Sequence, residues 1–123
     1  MISGRLDNLM LFLLVAMLAG FAVQHYSGTA TRPLCINGHP APRQSGVTYG
    51  GLRPEHGFQR DHCIPLGLGG ADEPGNVWLQ PEGEARRKDA AEWQAIEAYC
   101  RGEITLEEAR SHFVGHCHPG DWS

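Results

Sequence analysis

DHCIPLGLGGADEPGN, residues 61–76, is the most informative segment of this 123-residue chain. It begins with an acid beside an imidazole, Asp61-His62, passes through a short apolar run into the glycine-rich turn GLGG, and ends with the amide of Asn76. Residues 58–66 have the composition of a strand or of one hairpin arm. An acid, an imidazole and an amide around a turn are side chains that metal-assisted hydrolases of phosphodiester bonds use.

The second half of the chain has the pattern of two helices. Beyond a short strand candidate at residues 77–79, residues 84–101 contain no proline or glycine and carry apolar side chains at helical spacing. Thr105 followed by Glu108 is a capping-box pair, which predicts a second helix to about Val114. The sequence therefore predicts an α+β fold with a loop-rich N-terminal part, two strands around a turn and a C-terminal helical hairpin.

The N-terminal part has the character of a targeting segment. Residues 9–23 form an unbroken apolar stretch behind a short head whose one basic residue is Arg5. This stretch is shorter than the ~20 residues of a typical spanning helix, and the small residues Gly28 and Ala30 suit a cleavage site. We expect residues 1–30 to be a signal peptide or an N-terminal membrane anchor. Residues 31–123 would then form one exported domain that is periplasmic, secreted or anchored to the outer side of the inner membrane.

The cysteine count agrees with export. All four cysteines lie beyond the apolar segment, and an even number in a small domain that meets an oxidising compartment predicts two disulfides. A zinc site is the alternative use, but no two cysteines are closer than 17 residues, whereas structural zinc sites usually have short paired spacings. Composition alone leaves three pairings open.

Charge limits how the chain could hold nucleic acid. Ten Lys and Arg residues face fourteen Asp and Glu residues, so the net charge of −4 gives no overall attraction to phosphate. Basic residues cluster locally at Arg60, Arg86 and Arg87, which are the candidates for nucleic-acid binding. A solvated helix face is the alternative reading of the last two. No separate recognition module fits in a domain of this size, and we expect a monomer.

Several motifs resemble one known family. In chain order they are FxxDHxIPLxLGG at residues 58–70, NxWxxP at 76–81, AxxKDxxE at 85–92, CxGxIxLxxA at 100–109 and a closing DW at 121–122. Together they resemble the small secreted or membrane-anchored bacterial proteins of the HNH endonuclease superfamily. The similarity extends over most of the chain, from about residue 34 to residue 122.

The resemblance implies a ββα-metal (His-Me) finger, in which two antiparallel strands and a helix surround one divalent ion. Mg²⁺ is the expected ion, with Mn²⁺ or Zn²⁺ as alternatives. His62 would be the general base that takes a proton from the attacking water, Asp61 a metal ligand, and Asn76 the residue that holds the loop and orients His62. The implied activity is that of a metal-dependent endonuclease. We expect nucleic acid as its substrate, DNA ahead of RNA, although the sequence does not decide between the two.

The chain departs from the family pattern at one ligand position. In the family, a His or Asn about nine residues after the central Asn completes the metal site, and here that position is Ala85. Glu84 is its neighbour and Asp89 lies one helical turn further, so either carboxylate could serve as the missing ligand. Lys88 matches a basic residue of the family pattern and could stabilise phosphate charge.

The resemblance also implies a disulfide pairing. Family members carry cysteines where Cys35 and Cys100 stand, whereas Cys63 and Cys117 look like additions to this chain. Two cysteines gained together suggest a pair bonded together, so we expect Cys35–Cys100 and Cys63–Cys117.

Each motif residue also has a purely structural interpretation. His62 could be a buried imidazole bonded to backbone, Asp61 a turn cap and Asn76 an ordinary turn residue. Trp78 and Trp93 lie within apolar patterns, which predicts core positions for both. The alternative function is accordingly a catalytically inactive exported HNH-fold binding module.

Overall fold

The computed structural model describes residues 32–123, so the predicted leader lies outside the described residues. The fold is a small mixed α/β arrangement with two antiparallel two-stranded sheets and one main helix. The elements are β1 (Cys35–Ile36), β2 (His39–Pro40), β3 (Phe58–His62), β4 (Val77–Pro81), α1 (Glu82–Cys100) and α2 (Leu106–Ser111). No helix within residues 32–123 is long and apolar enough to cross a membrane.

β3 and β4 pair in antiparallel register, with Asp61 opposite Trp78 and His62 opposite Val77. β3 ends at His62, earlier than the predicted strand, because the Ile64 amide bonds to the Asn76 side chain instead of to a neighbouring strand, and Pro65 then leads into a 3₁₀ turn. Residues 63–76 therefore form the loop between β3 and β4.

Asn76 closes that loop. Its Oδ1 accepts a hydrogen bond from Ile64 N at 2.8 Å, and its Nδ2 donates to the carbonyls of Ile64 and Ala71, each at 2.9 Å. Gly70 is required beside this clamp, because a Cβ there would lie 1.9 Å from Ile64 O. These contacts agree with the expectation that Asn76 holds the loop. They do not support its predicted role of orienting His62, because none of them reaches the His62 ring.

α1 follows β4 without a linker and begins two residues before the predicted start. Glu82 and Glu84 lie in its first turn, where the helix dipole favours negative charge. The capping box is present as predicted: Thr105 N donates to Glu108 Oε2 at 2.7 Å and Glu108 N donates to Thr105 Oγ1 at 3.1 Å. α2 ends at Ser111, before the predicted Val114, because the chain turns there.

The core joins the loop after β3 to the two helices. Its buried members are Ile64, Leu68, Ala95, Ala109 and Phe113. The prediction of a core position is wrong for Trp93, which is 54% exposed. Trp93 is two residues from Ala95, a step of about 200° around the helix, and so lies away from the core side. Trp78 is half-buried.

Two disulfides tie the ends of the domain to its centre. Cys35–Cys100 joins β1 to the last residue of α1, and Cys63–Cys117 joins the residue after β3 to the C-terminal tail. The expected pairing is confirmed. Disulfides of this kind indicate an oxidising, extracellular environment. A domain with so few buried apolar side chains depends on them, because each such bond typically stabilises a fold by ~2–4 kcal/mol.

Candidate active-site cleft

A cleft of about 710 Å³ opens between β3, the middle of α1 and the loop that precedes β3. Positively charged guanidinium groups and negatively charged carboxylates line this cleft. Its ionisable lining includes Arg43, Arg60, Asp61, His62, Asp89 and Glu92. The predicted acid and imidazole therefore border one cavity, together with Asp89 and Arg60 from the predicted set.

Asp61 and His62 point to opposite sides of β3, as adjacent strand residues do. Asp61 contacts Trp78 and α1, whereas His62 contacts the loop residues Tyr49 and Asp72. Both residues nevertheless border the same cleft.

A carboxylate orients His62. The imidazole Nε2 donates to Asp72 Oδ1 at 2.8 Å, and Asp72 Oδ2 accepts from Thr48 N at 2.6 Å and from Thr48 Oγ1 at 2.9 Å. A neutral imidazole that donates from Nε2 carries its acceptor lone pair on Nδ1. Within residues 32–123, Nδ1 makes no hydrogen bond to the protein, so it is the nitrogen that could accept a proton from water.

Tyr49 covers the imidazole from a strained turn. Its φ of 54° lies in the left-handed region that non-glycine residues seldom adopt, and such strain typically costs ~1–3 kcal/mol. Gly50 must be glycine, since a Cβ there would come within 2.5 Å of Pro74 N. The turn places the Tyr49 ring 5.0 Å from the His62 ring, centroid to centroid, and beneath the Arg60 guanidinium at 4.6 Å. The Asp72 hydrogen bond therefore fixes the imidazole within its ring plane, and the Tyr49 ring packs against one face of it.

The pKa of Asp72 falls to about 2. Burial alone would raise it, but the hydrogen bonds from the Thr48 backbone, from His62 and from the Thr48 hydroxyl outweigh that effect. Asp72 is therefore a carboxylate over any working pH, and it favours the tautomer described above.

The depressed pKa of Asp72 predicts a loss of stability in acid. Its ordinary pKa is 3.8, so its contribution is complete above that value and disappears as the pH falls from 3.8 to about 2. We expect the free energy of unfolding, measured by urea titration across this window, to fall less steeply for Asp72→Asn than for the wild type. Glu73→Gln, at an exposed neighbouring position, is the matched control; equal slopes for Asp72→Asn and the wild type would contradict the prediction.

The Asp61 carboxylate lies on the α1 side of β3, where it meets a buried ammonium. Lys88 Nζ is 2.7 Å from Asp61 Oδ2, donates to the His62 carbonyl at 2.8 Å and forms an ion pair with Glu92 Oε1. Trp78 Nε1 also donates to Asp61 Oδ2, at 3.2 Å. Lys88 is fully buried and does not border the cleft. This placement does not favour its predicted contact with a phosphate group.

The carboxylates of this cluster outnumber its cation. Burial raises the pKa of Glu92 to about 7, against the lowering effect of Lys88 and with the help of the Asp61 carboxylate. Desolvation and the Asp61 charge also raise the pKa of Asp89, whereas Lys88 and Arg43 lower it. Glu92 is therefore the carboxyl of this cluster that takes up a proton near neutral pH.

Like Lys88 and Asn76, three further predicted site residues do not border the cleft. Glu84 is buried against the C-terminal tail, where its Oε1 accepts a hydrogen bond from Gly120 N at 2.8 Å. Arg86 and Arg87 are exposed elsewhere on α1, and Arg87 bonds to the Trp122 carbonyl. These positions give no support to a metal-ligand role for Glu84 or to a cleft-binding role for the two arginines.

The donors present do not fit the predicted divalent ion. In the described part of the chain, no group of three or more His, Cys, Asp or Glu side chains is arranged to hold one metal ion. Asp61 Oδ2 and Glu92 Oε1, which would be natural oxygen ligands, are both bonded to the Lys88 ammonium. Asp89 is an exposed carboxylate at the border of the cleft. Among the described residues it does not belong to a group of three side chains that could hold a metal ion.

Sequence reasoning missed the residues that orient His62. Asp72 lies within the quoted segment but looks like one loop acid among others, and Thr48 and Tyr49 belong to a stretch interpreted only as loop. Glu92 could have been found, since it follows Lys88 by four residues on a helix, which is ion-pair spacing.

Comparison with known proteins found no matching family, no matching curated protein and no matching solved structure.

Proposed function

We propose that the cleft hydrolyses phosphodiester bonds of nucleic acid and that His62 is its general base. The proposal rests on the Thr48–Asp72–His62 series of hydrogen bonds, which orients an imidazole at the edge of a cavity. A base held in one tautomer by a carboxylate is the arrangement that general-base catalysis needs.

The chemistry assigned to each group follows from its contacts. His62 Nδ1 would take a proton from a water molecule whose oxygen bonds to phosphorus, while the bond from phosphorus to the leaving sugar oxygen breaks. Asp72 would stabilise the imidazolium that forms. The leaving oxygen would take a proton from solvent in the open cleft, and the imidazolium would return its proton to solvent. Arg60 and Arg43 border the same cleft and carry guanidinium groups, which match phosphate oxygens in shape and charge. Because the chain as a whole carries a net negative charge, binding of nucleic acid would depend on these two arginines.

Local topology supports the finer fold assignment within this proposal. β3, β4 and α1 follow one another in the order of a ββα-metal finger, and the motif residues Asp61, His62 and Asn76 lie at the junction of these elements. On this basis we propose an exported HNH-type endonuclease that acts on DNA in preference to RNA, in the periplasm, outside the cell or at the outer side of the inner membrane. No step of the proposed reaction passes through a metal ion, since the donors do not fit one.

A second function has one specific observation in its favour. The Lys88 ammonium is bonded to both Asp61 and Glu92. A catalytically inactive exported module that keeps the fold for binding would have the same contacts. Such a module would bind oligonucleotides or another partner without turnover.

Incubation of the purified, oxidised protein with supercoiled plasmid, single-stranded DNA and RNA, beside the His62→Ala variant, tests the proposal. Cleavage by the wild type that the variant loses would support it. Equal cleavage by both proteins would indicate another site and contradict it. Absence of cleavage of all three substrates by a folded wild type would favour the binding module.

A further inference from the structure

The buried ammonium of Lys88 has the surroundings of a bound cation. Three oxygen atoms surround Nζ: Asp61 Oδ2 at 2.7 Å, the His62 carbonyl at 2.8 Å and Glu92 Oε1 in an ion pair. Carboxylate and carbonyl oxygens are also the ligands that hard divalent ions such as Mg²⁺ and Ca²⁺ choose. Chemically, these donors form a cation site, and the side chain of Lys88 fills it.

All three oxygens lie at contact distance from the ammonium. An ammonium has three N–H donors and no acceptor. Here it donates to the His62 carbonyl and to Glu92 Oε1, and it forms an ion pair with Asp61 Oδ2 at 2.7 Å. The side chain is fully buried, and Nζ lies 5.4 Å from the centroid of the Phe113 ring. A buried lysine is tolerated only with such pairing, which explains why the chain places both Asp61 and Glu92 beside it.

A divalent ion would compete with this arrangement at a disadvantage. To use Asp61 Oδ2 or Glu92 Oε1 it would have to approach a fixed positive charge at contact distance, in a poorly hydrated region where repulsion is strong. It would also leave the ammonium buried without its partners, which is costly. Both effects favour the lysine as the occupant.

We propose that the Lys88 ammonium is the resident cation of this centre, so that the folded protein holds Asp61 by an internal charge and takes up no divalent ion there. The inference does not depend on hydrolysis: it concerns which cation neutralises Asp61, whether or not the chain cleaves nucleic acid. It replaces the divalent ion expected from the sequence with a residue that the chain itself supplies. Removal of the ammonium should expose three oxygen donors to metal.

The test is metal binding, measured without nucleic acid. Mn²⁺ and Mg²⁺ are titrated into the purified wild-type protein, with calorimetry for both ions and the electron paramagnetic resonance signal of free Mn²⁺ as a second readout. We expect no saturable site in the wild type at millimolar ion. Lys88→Ala should bind Mn²⁺ at least about tenfold more tightly than the wild type, a change of about 1.4 kcal/mol. The double variant Lys88→Ala with Asp61→Asn is the matched control and should lose the gain.

The wild-type measurement decides the question even if Lys88→Ala does not fold. Saturable Mn²⁺ binding to the wild type that Asp61→Asn abolishes would overturn the proposal. A folded Lys88→Ala variant that gains no affinity would also overturn it. Absence of a saturable wild-type site would support it, and a gain in Lys88→Ala that depends on Asp61 would support it independently. Because no substrate is present, failure here is distinguishable from failure of the proposed hydrolase activity.

Discussion

Lys88→Met is expected to lower the free energy of unfolding by about 3–5 kcal/mol, the usual cost of removing one partner from a buried ion pair. Methionine replaces the aliphatic part of the side chain but not its charge. Asp61 and Glu92 would then lie beside each other without the ammonium that both contact. Urea unfolding monitored by tryptophan fluorescence measures the change, and a marginally stable domain of this size would show it clearly.

Two control variants separate charge from packing. Arg86→Met changes an exposed base on the same helix and should alter stability by no more than ~0.5 kcal/mol. Lys88→Met combined with Asp61→Asn and Glu92→Gln removes the unpaired charges and should recover most of the loss. A cost below ~1 kcal/mol for Lys88→Met alone would show that the ammonium is not held as described.

His62→Ala is expected to lower the turnover number for nucleic-acid cleavage by about 10²–10⁴-fold, the range that a general base contributes. The substitution removes the Nδ1 acceptor while leaving the Asn76 clamp on the loop intact. The ring also contacts Tyr49, so circular dichroism of the variant should accompany the assay to show that the fold is retained.

His56→Ala is the matched control for that measurement. His56 is exposed in the loop just before β3 and should tolerate alanine without loss of activity. Supercoiled-plasmid nicking rates of the three proteins, measured at equal concentration, give the comparison. A His62→Ala variant that keeps more than about a tenth of the wild-type rate would contradict the assignment of His62 as the base.

Local features of this fold were predictable because their causes lie within a few residues. The Thr105–Glu108 capping box needs only residues three apart, and Gly102, with φ of 74°, marks the helix end that the sequence indicated. The helix start was misplaced by two residues because Pro81 and Gly83 suggested a loop, although a proline just before the first turn is compatible with a helix.

The candidate site was only half predictable. Asp61 and His62 could be singled out as adjacent residues of a motif, and both border the cleft although their side chains point to opposite sides of β3. The partner that orients His62 could not be identified, because Asp72 approaches it through a loop whose path depends on the Asn76 clamp. The exposed position of Trp93 was likewise missed, because α1 carries apolar residues on more than one side and their spacing did not single out the side that meets the core.

The amino-acid sequence by itself determined the succession of β3, β4 and the two helices, the presence of two disulfides and the motif that places an acid beside an imidazole, but not the short hairpin of β1 and β2. These features depend on residue type and short spacing, which the backbone expresses locally. Only the tertiary structure decided that Asp72 orients His62. It also decided that the Lys88 ammonium neutralises the Asp61 carboxylate, 27 residues away along the chain. Such contacts arise when distant segments pack together, and their energies depend on burial that no local pattern specifies.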